Sequence, residues 1–209
     1  MIKRRFFTIA LAICANFVYA QFNYSRIEAT DLPTQLKYAG KLQKAVKWVT
    51  DNNEHYVILS QKEIYQSTKK DMDGYFTKNA ELFAYHYTIS KDSSHQVWRV
   101  YDYTFDCGFD ILQSFIGEKV HLTDLNKNGE PEIWVLYRNQ CTSDVSPATT
   151  KLIMYENNTK YAVRGVDKVK NSALGYEGGE YGMDKNFKSA SILFQQYAID
   201  LWNKYCIRN

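Results

Sequence analysis

Apolar and polar residues alternate along most of this chain with a period of two, the mark of half-buried strands. Leu42–Thr50 (LQKAVKWVT) places Val46 and Trp48 on one face, and His55–Ser60 (HYVILS) returns after Asp51-Asn52-Asn53-Glu54. Asp and Asn in such a run favour a turn, so these segments predict a first hairpin. Glu81–Ser90 carries Phe83, Tyr85, Tyr87 and Ile89 on one face, Lys91-Asp92-Ser93-Ser94 turns the chain, and Gln96–Phe105 comes back as a second. A third joins Val120–Leu122 to Ile133–Tyr137 across a polar loop. A fourth joins Lys151–Tyr155 to Lys160–Gly165 across Glu156-Asn157-Asn158-Thr159. Residues 61–80 and 106–117 read as connections, and the Gly-rich residues 166–185 as a long loop.

Near the end of the chain the period changes. Phe187, Ala190, Phe194, Tyr197, Leu201 and Tyr205 recur at spacings of three and four in a stretch free of Gly and Pro. That pattern predicts an amphipathic helix over 187–205. Strands followed by a segregated helix define an α+β class. The expected fold is an antiparallel β-meander of about four hairpins, as a curled sheet or open barrel, with the C-terminal amphipathic helix packed on it. The hairpins share hydropathy but not sequence, so a repeat array is not indicated.

The first twenty residues are a different object. Lys3, Arg4 and Arg5 precede an apolar run from Phe6 to about Val18, and Val18-Tyr19-Ala20 offers short residues for cleavage before Gln21. This reads as a signal peptide over 1–20, ahead of a single β-rich domain over 21–209. The run is shorter than the roughly 20 residues a membrane span requires, so no transmembrane segment is expected after cleavage. Export changes the charge balance. The whole chain has 26 Lys+Arg and 23 Asp+Glu, and loss of the three leader cations leaves 23 of each. A neutral mature chain has no basic field for nucleic acid. The expected location is the periplasm, the medium or the cell surface.

The third hairpin's loop, Asp124-Leu125-Asn126-Lys127-Asn128-Gly129-Glu130-Pro131-Glu132, carries the clearest chemistry. Asp124, Asn126 and Asn128 offer side-chain oxygens, Glu130 a backbone carbonyl and Glu132 a carboxylate, with Gly129 where a sharp turn needs positive φ. Hard cations such as calcium take several oxygen ligands from such a turn. The pattern resembles the calcium loops of FG-GAP and VCBS repeats more than an EF-hand, whose twelfth-position acid is here Val135. Two formal charges imply weak binding, around 10⁻⁴–10⁻³ M. The alternative is a plain Asn-Gly hairpin turn.

Export permits disulfides, and the mature chain keeps Cys107, Cys141 and Cys206. In a meander Cys107 and Cys141 each follow the second strand of a hairpin and fall at one end of the sheet, which favours that pair. Pairings with Cys206, or free buried thiols, are the alternatives. Arg138 and Arg164 close hairpin strands near the Cys141 loop and, with Asp144, are candidate contacts for a carboxylate or glycan acid. Ordinary pairing with Asp144 and Asp167 is the competing reading. The four histidines lack any HxH or HExxH spacing. The aromatic stripe of Tyr85, Tyr87, Trp98, Tyr101 and Tyr103 suits either sugar stacking or a core face.

Taken together, DLNKNGEPEIWVLY, DVSPATTKLIMYENNTKYAVRG and FQQYAIDLWNKY resemble a family of exported bacterial proteins linked to surface polysaccharide biosynthesis, over roughly residues 118–205. The resemblance implies a cell-envelope role and assigns no catalytic residue. The expected function is therefore non-enzymatic: support of surface-polysaccharide production, or binding of glycan or protein partners. An envelope glycan-active enzyme and an inhibitor of a secreted enzyme are the alternatives.

Overall fold

The computed structural model describes residues 23–50, 53–91, 93–117, 120–171 and 175–208. The leader read over residues 1–20 lies outside them. The strands are β1 (Ser25–Ile27), β2 (Lys41–Thr50), β3 (Asn53–Gln61), β4 (Tyr65–Lys70), β5 (Phe76–Ser90), β6 (Ser93–Cys107), β7 (Asp110–Phe115) and β8 (His121–Thr123). There follow β9 (Glu132–Thr142), β10 (Thr149–Glu156), β11 (Thr159–Val166), β12 (Lys168–Asn171), β13 (Gly175–Gly178) and β14 (Tyr181–Met183). Two helices, α1 (Lys185–Ser189) and α2 (Ile192–Tyr205), precede a short β15 (Ile207–Arg208).

The fold is mostly antiparallel sheet with a C-terminal helix, as the alternation indicates. It differs from the expected meander in four ways. Two six-stranded sheets and a small three-stranded one, β13-β12-β15, form instead of one curled sheet, and none closes into a barrel. The first runs β1-β2-β3-β5, with β4 beside β3 on one edge of β5 and β6 on the other. The second runs β14-β11-β10-β9, with β7 and β8 sharing the far edge of β9. Hairpins exceed four, because residues 61–80 contain β4 and the connection 106–117 contains β7. The Gly-rich stretch read as a loop holds β12, β13 and β14. Gly165 explains part of this: a Cβ there would lie 1.9 Å from the Glu180 carbonyl oxygen, so only glycine lets that segment close on β11. The predicted single helix is two, because Ser191 caps a fresh start by accepting the Leu193 N–H, while Asp184 caps α1 through the Phe187 N–H.

Alternation decides which residues meet. Val46, Trp48, Val57, Leu82, Trp98 and Val100 of the first sheet face Val120, Leu122, Ile133, Val135, Tyr137, Ile153 and Tyr155 of the second. This inter-sheet layer is the main core. The other face of the second sheet, with Trp134, Leu136, Leu152 and Met154, is covered by Phe187, Phe194, Ala198, Leu201 and Trp202 of the helices. The outer face of the first sheet is partly covered by Leu32, Leu36 and Tyr38 of the entry segment, over Tyr56, Ile58, Phe83, Tyr85 and Tyr87. Each fully buried large apolar side chain contributes about 1.5–3 kcal/mol.

Candidate functional site

The cation-type loop joins β8 to β9 as a tight hydrogen-bonded turn. Asp124 accepts the Asn128 N–H at 3.0 Å and the Gly129 N–H at 3.2 Å on its two oxygens. The Asn126 and Asn128 side-chain oxygens accept the N–H groups of Asn128 (3.2 Å) and Glu130 (2.8 Å). Gly129 has φ +84°, as its position in the turn requires. The side-chain amides of Asn126 and Asn128 donate to Glu156 Oε1 at 2.6 and 2.9 Å. Glu156, at the end of β10, was invisible as a loop partner because only the β9–β10 register brings it there.

Glu132 is used differently. It is fully buried, accepts the Thr123 hydroxyl at 2.6 Å, and takes the Leu125 N–H at 3.1 and 3.0 Å on its two oxygens. Thr123 in turn accepts the Trp134 indole N–H at 2.8 Å. Burial raises the Glu132 pKa, the Thr123 and Leu125 hydrogen bonds oppose it, and the charges of Glu156 and Asp124 add to the rise. Among the described residues no three His, Cys, Asp or Glu side chains stand together as a metal-holding group. The loop thus gathers Asp124, Asn126 and Asn128, while Glu132 holds its base and Glu130 could contribute only main chain. Each ligand oxygen keeps a second lone pair, so this set fits a weak hard-cation site at best.

Cys107 and Cys141 are joined by a disulfide, with Cα atoms 5.7 Å apart. Cys107 ends β6 of the first sheet, and Cys141 lies opposite Ile111 on β9 of the second. The bond therefore clamps the crossover between sheets. Cys206 is free and buried, and burial pushes its thiol up to about 12, which leaves it inert as a nucleophile.

Arg138, Arg164 and Asp144 do not converge. Arg138 pairs with Thr150, whereas Arg164 pairs with Lys151, one residue along β10. Neighbouring residues of a strand point to opposite faces, so the two guanidiniums lie on opposite sides of the sheet. Arg138 is largely buried and contacts the fully buried Asp167 (Nε–Oδ2 3.3 Å). Burial pushes the Arg138 pKa down, and Asp167 opposes that. Arg208 also reaches Asp167 at 3.1 Å and donates to the Ser146 carbonyl at 2.6 Å. Asp144 caps its own loop, accepting the Ser146 N–H at 2.9 Å. Arg164 is exposed, on the face where Lys151 and the Tyr137 hydroxyl (2.9 Å) both donate to Asp102.

The aromatic stripe also splits by strand parity. Trp98 points inward and stacks on Tyr155, ring centroids 4.2 Å apart. Tyr85 and Tyr87 are buried in the outer layer, while Tyr101, Tyr103 and Phe105 continue it as a bare row, 40, 50 and 44% exposed. Successive centroids in this row are 5.5 and 4.4 Å apart. The Tyr101 hydroxyl donates to Glu81 at 2.9 Å, where Lys62 and Tyr65 also donate at 2.7 Å each. Burial raises the Glu81 pKa, but these three donors outweigh it and the net shift is downward. Phe105 lay outside the stripe as read from sequence, although its i+2 spacing from Tyr103 was the available signal.

His55 and His86 stack against Trp48 at 4.9 and 5.3 Å, with Thr50 Oγ1 2.7 Å from His55 Nε2. Burial lowers the pKa of both imidazoles, that of His86 to about 3, with the neighbouring His55 adding to the effect. The folded pKa of His86 lies below the unfolded value, so the unfolded chain takes the proton first as pH falls. Stability from this group is complete above about pH 6.5 and declines below it by at most about 1.4 kcal/mol per pH unit. Urea melts between pH 7 and 5 are expected to show that decline, and His86→Gln should flatten it. An equally steep decline in the variant would assign the acid sensitivity elsewhere.

No family model, no curated protein and no solved structure matches this chain.

Proposed function

We propose that the protein is an exported cell-envelope protein that binds glycan without transforming it, in support of surface-polysaccharide production. The bare aromatic row of Tyr101, Tyr103 and Phe105 on β6 carries this reading. Rings held on a rigid strand, with Tyr103 and Phe105 stacked on each other, offer exposed apolar area at little entropic cost to the CH-rich faces of sugars. The commitment of the less exposed carboxylates favours binding over turnover: Glu81, Asp102, Glu132 and Asp167 each hold structural partners. Among the described residues no helix is long and apolar enough to cross a membrane. In affinity gels containing envelope polysaccharide, migration should be retarded, and Tyr103→Ala should weaken binding about tenfold, the worth of one buried ring at about 1.5 kcal/mol. Release of new reducing ends from labelled glycan would favour the enzyme reading instead.

The same reading includes a calcium staple at Asp124, Asn126 and Asn128. With a millimolar dissociation constant, calcium at ten times that concentration stabilises by about 1.4 kcal/mol. The melting temperature should therefore rise by about 3–5 °C, and Asp124→Ala should abolish the rise. An unchanged melt would remove calcium from the account.

A further inference from the structure

The loop end of the sandwich holds a cavity of about 160 Å³ between the inner face of the first sheet and two loops of the second. Its apolar wall is Trp48, Val97, Ile133 and Pro131. Its polar wall is His55, His86, Thr88, Glu130, Asn157 and Asn158. His86 is only 6% exposed, yet its Nδ1 has no hydrogen-bond partner. The side chains of Thr88, Glu130, Asn157 and Asn158 likewise make no hydrogen bond among the described residues. Thr88 is half-buried and Glu130, Asn157 and Asn158 are exposed, so their polar groups stand free to a ligand around an apolar patch in a half-open cleft.

Size and charge narrow the occupant. The volume equals about five waters at roughly 30 Å³ each, well below the roughly 300 Å³ of a drug-sized pocket. It suits one sugar ring and not an oligosaccharide. Glu130 is the only formally charged side chain among the lining residues when the histidines are neutral. A carboxylate accepts from hydroxyls or an ammonium and repels another anion. From the cavity, its unpartnered donors and acceptors, and this single negative charge, we propose a binding site for one neutral or amino-sugar residue, distinct from the aromatic row. Thr88 and the two asparagines hydrogen-bond the ring hydroxyls.

The site is tested by ligand-observed NMR on the intact chain with glucose, galactose, mannose, N-acetylglucosamine, glucosamine, glucuronate and galacturonate. At least one neutral or amino sugar should bind in the millimolar range, with both uronates at least tenfold weaker. Glu130→Ala and Asn158→Ala, both at exposed loop positions, should each weaken binding about fivefold to tenfold. Tyr103→Ala should leave it unchanged, so loss of the aromatic-row reading and loss of this site are separate results. No binding by any panel member at 50-fold the expected millimolar range, equal binding of uronates, or indifference to both loop variants would each overturn the proposal.

Discussion

Asp167→Ala is expected to cost the fold about 3–5 kcal/mol, the usual penalty for removing one partner of a buried ion pair. Asp167 has no exposed surface and meets two guanidiniums, Arg138 at 3.3 Å and Arg208 at 3.1 Å. It also accepts the Ala148 N–H at 2.7 Å, while its own N–H donates to the Ala148 carbonyl at 2.9 Å. One side chain thus ties β9, the loop before β10 and the C-terminal strand β15, which runs parallel to β12. Alanine would strand two cations, with Arg138 largely buried, and free that N–H. Urea melts should show the midpoint falling with the m-value unchanged. A loss below about 1 kcal/mol would mean that the pair barely offsets its own desolvation. Arg208→Ala should cost less, because its guanidinium is nearer to solvent.

Cys141→Ser should cost about 3–4 kcal/mol. The bond closes a loop with a sequence separation of 34, and the chain-entropy model assigns a loop of that length nearly 4 kcal/mol. The loop spans the β6–β7 crossover, the third hairpin and most of β9, so the unfolded chain loses a large share of its freedom. Reduction of the native protein should give a loss like that of the serine variant. Stability indifferent to reductant would show that sheet packing alone holds the crossover.

The strands with strong apolar patterns were legible: LQKAVKWVT alternates, while HYVILS, ELFAYHYTIS and KLIMY are apolar enough to be buried on both faces. The strands that were not legible are edges, or belong to the small sheet whose centre is β12. β4 is mostly exposed, β7 half-buried, and β12 to β14 sit among glycines, so none presents a periodic apolar face. Alternation also cannot tell whether two apolar faces belong to one curled sheet or two stacked ones, since both bury the same residues. Pairing Arg138 with Arg164 failed on register. The Asn157-Asn158 turn sets Lys151 opposite Arg164, but the register across the Cys141 loop, which sets Arg138 opposite Thr150, leaves no trace in hydropathy. The histidine cavity needed the same long-range information, because its walls come from both sheets.

Calorimetric titration of the mature protein with purified envelope polysaccharide addresses the glycan-binding reading most directly. Saturable heat that falls about tenfold in affinity in Tyr103→Ala, with the variant's melting temperature unchanged, is the predicted result. Absence of heat from the wild-type chain, or equal affinity in the variant, would contradict it.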